Sequence, residues 1–257
     1  YGNGNFNTAV GRQALETVFS GSYSTAIGYV AGRYATGSYN TFIGSQAGLG
    51  GTTSAPYSSG VHNVALGYNA LAAFTTGEQN VAIGSSAASN LTTGVYNTIV
   101  GNGAQSGTTG VNNTMIGRAA GASMTTAQKI TAVGATTFNY LTVATDSTAI
   151  GYDAGEYATG SYNTFIGSEA GKGGTTSAPY SSGQNNTALG YQALKAFTTG
   201  GDNVAIGAGT GDAITTATEN TLVGRLAGTA LTTGGGNTAI GSKALQEHLT
   251  GIRNIAI

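Results

Sequence analysis

The chain has 257 residues, of which 44 are glycine, two are proline, none is cysteine and only 7% are charged. Nine Lys and Arg against ten Asp and Glu give a formal net charge of −1, which excludes the basic face that binds nucleic acid by releasing counterions. Glycine far below one residue in three with almost no proline excludes a collagen helix, and 40% hydrophobic residues with so little charge exclude a self-repelling disordered tail.

No apolar run approaches the roughly 20 residues of a membrane-crossing helix, so no membrane insertion is expected. The first residues show neither the charged nor the apolar region of a signal peptide. Without cysteine there are no disulfides, no thiolate chemistry and no Cys-type metal site.

In chain order, the predicted elements are short strands, each closed by a variant of Asn-Thr-Ala-Ile-Gly. The closing glycines are Gly11, Gly28, Gly44, Gly67, Gly84, Gly101, Gly117, Gly134, Gly151, Gly167, Gly190, Gly207, Gly224 and Gly241, and Ile257 stands where a fifteenth pentapeptide stops before its glycine. Successive glycines are 16 or 17 residues apart, except for 23 from Gly44 to Gly67 and from Gly167 to Gly190. A fixed period of this size marks a solenoid. The expected fold is all-β: a parallel β-solenoid of about 15 coils. Both ends of the sequence read as cuts within the array.

A longer period overlies the first, because Gly28 and Gly151, like Gly44 and Gly167, are 123 residues apart. Residues 1–133 form a first block with a leading partial coil, and residues 134–257 a tandem copy truncated at its C-terminal end. Ser24–Gly60 and Ser147–Gly183 differ at four positions only: Val30 for Asp153, Arg33 for Glu156, Gln46 for Glu169 and Leu49 for Lys172. Each change alters charge or polarity, as solvent-facing positions allow.

Aligned on the closing glycine, the columns have distinct characters. The residue before it is always Val, Ile or Leu, and the third before it Thr, Val or Ile. The two-residue period of a strand puts both on one face, read as the coil interior. The residue between them is also apolar, mostly Ala, with Phe42, Ile99, Met115, Phe165 and Leu222 as larger members. A strand apolar on both faces is buried on both, so this second face calls for another copy of the chain.

Ten residues before the glycine runs a large apolar ladder including Tyr34, Tyr57, Phe74, Leu91, Leu141, Tyr157, Tyr180 and Phe197, with Tyr1 and Val18 at its start and Gly107 as its break. Three after the glycine stands a small residue, Ala in all coils but those of Thr137 and Thr210. A second glycine seven residues before the first, in twelve of fifteen coils, marks a corner with positive φ or close backbone approach. Asn four before it, also in twelve of fifteen, is expected to form an amide ladder at a corner and to tolerate left-handed backbone.

These residues carry a resemblance. The pattern Thr75-Thr76-Gly77-Glu78-Gln79-Asn80-Val81-Ala82-Ile83-Gly84 resembles the shaft repeats of bacteriophage tail fibres and related bacterial surface fibres, and its Asn-x-Ala-Ile-Gly core is similar to the head repeats of trimeric autotransporter adhesins. The resemblance implies a parallel β-roll assembled as a homotrimer, with the small middle residue of the strand at the trimer axis. It also implies an extracellular, cell-surface or virion location, although the adhesin repeat is typically 14 residues long.

Chemistry is sparse. His62 and His248 lie on widely separated coils, His62 aligns with Asn185 in the second block, and the ten carboxylates form no pair that recurs in both blocks. Asp202 and Asp212 lie ten residues apart, which is not a metal-loop pattern, and the glycine-rich stretches lack the Lys-Ser/Thr of a phosphate loop. No catalytic residue, metal ligand or cofactor site is assigned. The best recognition surface is the six-residue insertion in each 23-residue coil: Gly50, Gly51, Thr52, Thr53 and Ser54 in the first block, and Gly173, Gly174, Thr175, Thr176 and Ser177 in the second. Cell-surface glycans are the partners such loops suggest. At Tyr57 and Tyr180 packing is favoured over sugar stacking. Asn90, Asn112 and Asn185 open Asn-x-Ser/Thr glycosylation sequons.

The leading expectation is a non-catalytic structural rod of a fibre, which spaces and presents an attachment surface and associates with itself. The alternatives are an ice- or surface-binding solenoid using Thr75-Thr76, Thr92-Thr93, Thr198-Thr199 and Thr232-Thr233, a self-assembling extracellular filament, and a polysaccharide-degrading tailspike.

Overall fold

The structure, a computed structural model, describes residues 4–17, 20–51, 57–105, 107–174 and 180–257. It divides into two compact units, Tyr1–Lys129 and Ile130–Ile257. Both are parallel β-solenoids, together about 14 turns, with no helix among the described residues. The first unit carries β1 (Thr8–Val10), β2 (Thr25–Ile27), β3 (Thr41–Ile43), β4 (Val64–Leu66), β5 (Val81–Ile83), β6 (Thr98–Val100) and β7 (Thr114–Ile116). The second carries β8 (Thr131–Val133), β9 (Thr148–Ile150), β10 (Thr164–Ile166), β11 (Thr187–Leu189), β12 (Val204–Ile206), β13 (Thr221–Val223), β14 (Thr238–Ile240) and β15 (Ile255–Ala256).

Within each unit every strand pairs in parallel with the next, in the register set by the closing glycines, so that Thr25 lies opposite Thr41, Ala26 opposite Phe42 and Ile27 opposite Ile43. The 23-residue coils keep this register: β3 pairs with β4 and β10 with β11. The extra residues of these coils leave the strand register unchanged.

Burial reverses the expected sense of the strand. The middle residue of each strand from β2 to β14 is buried, from Ala26 and Phe42 to Leu222 and Ala239, whereas its neighbours on either side are half-buried or exposed. The interior of the coil is thus lined by the Ala/Phe/Ile/Met/Leu column, and the Thr/Val and Ile/Val/Leu columns face outward. The reason lies four residues after the glycine, in a column that also points inward. Where the strand offers Ala65, Ala132 or Ala188, that column supplies Leu71, Phe138 or Leu194; where the strand offers Phe42, Met115, Phe165 or Leu222, it supplies Gly48, Gly121, Gly171 or Gly228. Large faces small in nine of the fourteen coils, which is how close packing is kept at constant coil width; Ala26/Gly32, Ala82/Ala88, Ala149/Gly155 and Ala205/Gly211 are small on both sides and Ile99/Gln105 large on both. A Cβ on Gly228 would lie 2.9 Å from a Leu222 methyl, and at Gly32, beside Ala26, the space is taken by Leu15 and Phe42 at 2.8 Å from neighbouring coils.

The apolar ladder is present but uneven. Phe74, Leu91, Met124, Leu141, Phe197, Ile214 and Leu231 are buried, while Tyr34, Tyr57, Tyr157 and Tyr180 are half-buried because Ala35, Ser58, Ala158 and Ser181 take the inner place. Tyr1 and Val18 lie outside the described residues.

The two glycine columns do different work. The closing glycine combines positive φ with close approach: Gly44 has φ +127°, and a Cβ there would sit 2.7 Å from the Gly67 carbonyl oxygen. The earlier glycine has no positive φ; Gly77 is required because a Cβ would stand 2.7 Å from the Gly94 oxygen. Left-handed backbone falls elsewhere, on three columns of mostly non-glycine residues, five before and two and four after the closing glycine, as at Tyr39 (φ 61°), Gln46 (φ 61°) and Leu71 (φ 51°). Such a conformation costs an L-residue roughly 1–2 kcal/mol. Here it turns the N–H along the stack to a neighbouring coil: Tyr39 donates to Ser22 O at 2.9 Å, Gln46 to Tyr29 O at 2.9 Å and Leu71 to Ala87 O at 2.9 Å.

The Asn column is the expected amide ladder, buried rather than left-handed. Asn80 Nδ2 donates to Asn63 Oδ1 at 3.1 Å and to Gly94 O at 2.9 Å, and Asn97 donates to Asn80 Oδ1 from both its backbone N and its Nδ2, at 3.1 and 2.9 Å. The same pattern runs through Asn186, Asn203, Asn220, Asn237 and Asn254 in the second unit.

Candidate interaction surface

The outward face of each sheet is four residues wide, because the two-residue alternation continues beyond the strand. In the coil of β2 it reads Tyr23, Thr25, Ile27 and Tyr29, with Tyr23, Ile27 and Tyr29 at 53%, 40% and 47% exposure. The two central columns hold only Thr, Val, Ile and Leu in every coil, with no charge among them. Charge appears only in the margins, as Arg12, Arg118, Lys129, Asp146, Asp202, Glu219, Arg225 and Arg253. An uncharged aliphatic centre bordered by Tyr, Arg and polar residues is the anatomy of a protein–protein interface.

One margin of the first unit is an aromatic file. Phe6, Tyr23, Tyr39 and His62 share the left-handed position before the Asn ladder, and their rings stack at centroid distances of 4.9, 5.2 and 4.8 Å. Equivalent residues one rung apart are separated by about the stacking distance of aromatic rings, so the solenoid stacks them without further design. His62 is therefore a stacked ring; His248 is exposed in the last coil, and no group of three metal-binding side chains forms among the described residues.

Of the insertion residues, Gly50, Gly51, Gly173 and Gly174 are pinned to the following coil, Gly51 N–H to Phe74 O and Gly174 N–H to Phe197 O, both at 2.7 Å. Thr52, Thr53, Ser54, Thr175, Thr176 and Ser177 lie outside the described residues. Tyr57 and Tyr180 are packed ring against ring, Tyr57 on Tyr34 at 6.2 Å and Tyr180 on Tyr140 at 4.9 Å. The sequon residues Asn90, Asn112 and Asn185 are all exposed, and the Asn185 amide donates to Asp202 at 3.0 Å. In each Thr pair the first side chain is engaged, Thr75 Oγ1 donating to Thr92 O at 3.2 Å and Thr198 Oγ1 to Thr215 O at 3.0 Å, while Thr76, Thr93, Thr199 and Thr233 are exposed.

The four positions that distinguish the two copies are not scattered over solvent. Val30 and Asp153 are both buried, and in the second unit the replacements meet: Lys172 Nζ lies 2.8 Å from Asp153 and 3.1 Å from Glu156, and Glu169 pairs with Lys195 at 2.7 Å. Thr136 adds a hydroxyl bond to Asp153. Burial pulls the Lys172 ammonium down, yet the bonds to Asp153 and Glu156 carry it above the usual lysine range. Hydrogen bonds from Lys195 and Gln192 hold Glu169 below the usual carboxylate range. Asp212 stands apart: burial raises its pKa, and its Oδ1 is the one buried side-chain oxygen without a partner among the described residues. A notch of about 240 Å³ between Glu219 and Arg253, where Gly236 leaves a gap, is smaller than ligand pockets generally are.

No protein-family model and no curated protein matches the chain. The outward columns were visible in the sequence but assigned to the wrong side of the strand. The column four after the glycine, which decides the side, was not singled out, although its alternation of Leu or Phe with Gly is a legible signal.

Proposed function

We propose that this chain is a structural, non-catalytic segment of an extracellular, cell-surface or virion fibre, a rod that spaces and presents an attachment surface and associates with further copies of itself as a homotrimer. The observation that carries this reading is the uncharged outward face repeated on every coil. A partner for it must offer apolar side chains at the same rung spacing, and a second copy of the chain does so by construction. In the first unit Ile27, Ile43, Val64, Leu66 and Ile116 of these columns are 36–43% exposed, a contiguous apolar face of the kind that partners cover. The middle strand residue, buried inside its own coil, is not available to a trimer axis; the Thr/Val and Ile/Val/Leu columns are.

Sedimentation velocity of the full chain tests the proposal. An elongated oligomer is expected, and Ile83→Lys with Ile206→Lys should release monomers of unchanged far-UV circular dichroism. A compact monomer at micromolar concentration refutes self-association. The exposed file of Thr76, Thr93, Thr109 and Thr126 favours a second reading, a surface that orders water or ice, for which thermal hysteresis is the assay.

A further inference from the structure

Three tyrosines of the second unit come together from successive coils. The Tyr140 and Tyr157 rings lie 5.0 Å apart at 18°, Tyr140 and Tyr180 4.9 Å apart at 36°, and Tyr157 and Tyr180 6.1 Å apart at 23°. All three are half-buried, with an edge open to solvent. The Glu156 carboxylate neighbours the Tyr157 phenol and, after burial, helps to raise its pKa, and Lys172 Nζ holds that carboxylate from 3.1 Å. The first unit lacks this arrangement. Thr17 stands in place of Tyr140, and Arg33 in place of Glu156, its guanidinium 5.0 Å above the Tyr34 ring.

We propose that Tyr140, Tyr157 and Tyr180 form an oxidative cross-linking site, where a one-electron oxidant of the peroxide class joins two of these rings as dityrosine and ties neighbouring coils together covalently. Each of the two tyrosines gives one electron to the oxidant and loses its phenolic proton, that of Tyr157 passing to Glu156. The two radicals form a carbon–carbon bond between positions ortho to their oxygens, and the two displaced ring hydrogens move to those oxygens and restore the phenols. The balance is two electrons and two protons, which reduce one peroxide O–O bond; with hydrogen peroxide the products are two waters.

The position of Glu156 gives the site its selectivity. Burial and the neighbouring carboxylate hold the Tyr157 phenol above the usual tyrosine range, so the phenolate is scarce at neutral pH and the proton must leave with the electron. A base beside the phenol, as Glu156 is, serves that step. Tyr23 and Tyr39 also stack, at 5.2 Å, but their hydroxyls have no carboxylate partner among the described residues, which makes them an internal control.

The test is photo-oxidation of the full chain at pH 7 with tris(bipyridyl)ruthenium and persulfate, read by dityrosine fluorescence and by peptide mapping. Mapping of the unaltered chain should join Tyr157 to Tyr140 or Tyr180 within one chain, and this result does not depend on how any variant folds. Tyr157→Phe should lower intrachain dityrosine to what Tyr140 and Tyr180, 4.9 Å apart, support by themselves. Glu156→Gln should slow its formation about tenfold or more at pH 7, and the rate should recover above about pH 10, where a phenol ionises unaided. Intrachain cross-links found mainly at Tyr23–Tyr39, or cross-links formed only between chains, overturn the proposal. An unchanged rate in Glu156→Gln at pH 7 overturns the role given to the carboxylate.

Discussion

The two copies supply their own mutant series at the buried ion pair, and the perturbation to make is Lys172→Leu, which places the first unit's Leu49 in the second. Asp153 is only 9% exposed at its side chain and Lys172 21%, so the substitution strands a nearly buried carboxylate with Thr136 as its remaining side-chain partner. Breaking a fully buried pair costs 3–5 kcal/mol, and the partial exposure of Lys172 brings the expected loss to about 2–3 kcal/mol. Asp153→Val alone removes the buried charge and leaves Lys172 paired with Glu156 at 3.1 Å, so it should cost only about 1 kcal/mol, part of it from a β-branched residue in left-handed backbone (φ 53°). The double substitution recreates the Val30/Leu49 solution and should lie within about 1 kcal/mol of the parent, because an apolar replacement of a buried pair is often neutral. The cycle therefore predicts a coupling of about 3 kcal/mol between the two sites. Amide hydrogen exchange resolved to residues 147–183 measures it where it acts, with thermal unfolding of the full chain as a second readout. Free energies that add within about 0.5 kcal/mol would refute the claim that the differences between the copies are one coupled exchange.

The interior predicts a rescue of a different kind. Phe42→Ala should cost about 3–5 kcal/mol in denaturant unfolding, and adding Gly48→Leu, which copies the Ala65/Leu71 pair at a position already at φ +54°, should restore much of it. Asn80→Ala leaves the backbone N–H of Asn97 without its acceptor, while Asn97 Nδ2 keeps Gly110 O at 2.8 Å, and should cost about 1–3 kcal/mol, with accelerated exchange of the Asn97 amide; Asn80→Asp should be worse, since it sets a carboxylate against the Gly94 carbonyl. Glu169, whose folded pKa lies below its ordinary 4.5, contributes stability that is present above that value and lost as pH falls through the folded pKa; Glu169→Gln, the first unit's Gln46, should flatten acid melting curves of residues 147–183. Asp212 has the opposite sign: burial raises its pKa, which favours folding below 3.8, and the advantage is lost as pH rises through the folded value, so Asp212→Asn should raise the melting temperature at pH 7 more than at pH 3.

Strand positions, parallel register and the Asn ladder were legible because each leaves a mark in every coil, and a column repeated fifteen times averages out local propensity. Two of the left-handed columns were not legible. Tyr39 and Gln46 stand in columns with almost no glycine to announce positive φ, and their conformation is selected by hydrogen bonds to neighbouring coils rather than by their own side chains; Leu71's column, by contrast, holds Gly32, Gly48, Gly121 and Gly171. Glycine, the usual sign of left-handed backbone, is misleading in the earlier column, where at Gly77 it makes room for a carbonyl. Ala127, Ala144 and Ala217 occur in that column without positive φ, which is the mark of a steric rather than a conformational requirement.

The inverted strand shows why the candidate surface was harder to read than the fold. Periodicity assigns alternate residues to opposite faces but does not say which face is inside, and in Thr-Ala-Ile the larger apolar residue invites the wrong choice. The interior of a 17-residue coil is narrow, so its lining is decided by the sum of two facing columns rather than by the hydrophobicity of one. Ala opposite Leu and Phe opposite Gly satisfy that sum; Ile opposite Leu in every coil would overfill it. The aliphatic residues of highest hydrophobicity are consequently displaced to the outside of the sheet. There they form the regular, uncharged face on which the proposed pairing with a second copy rests.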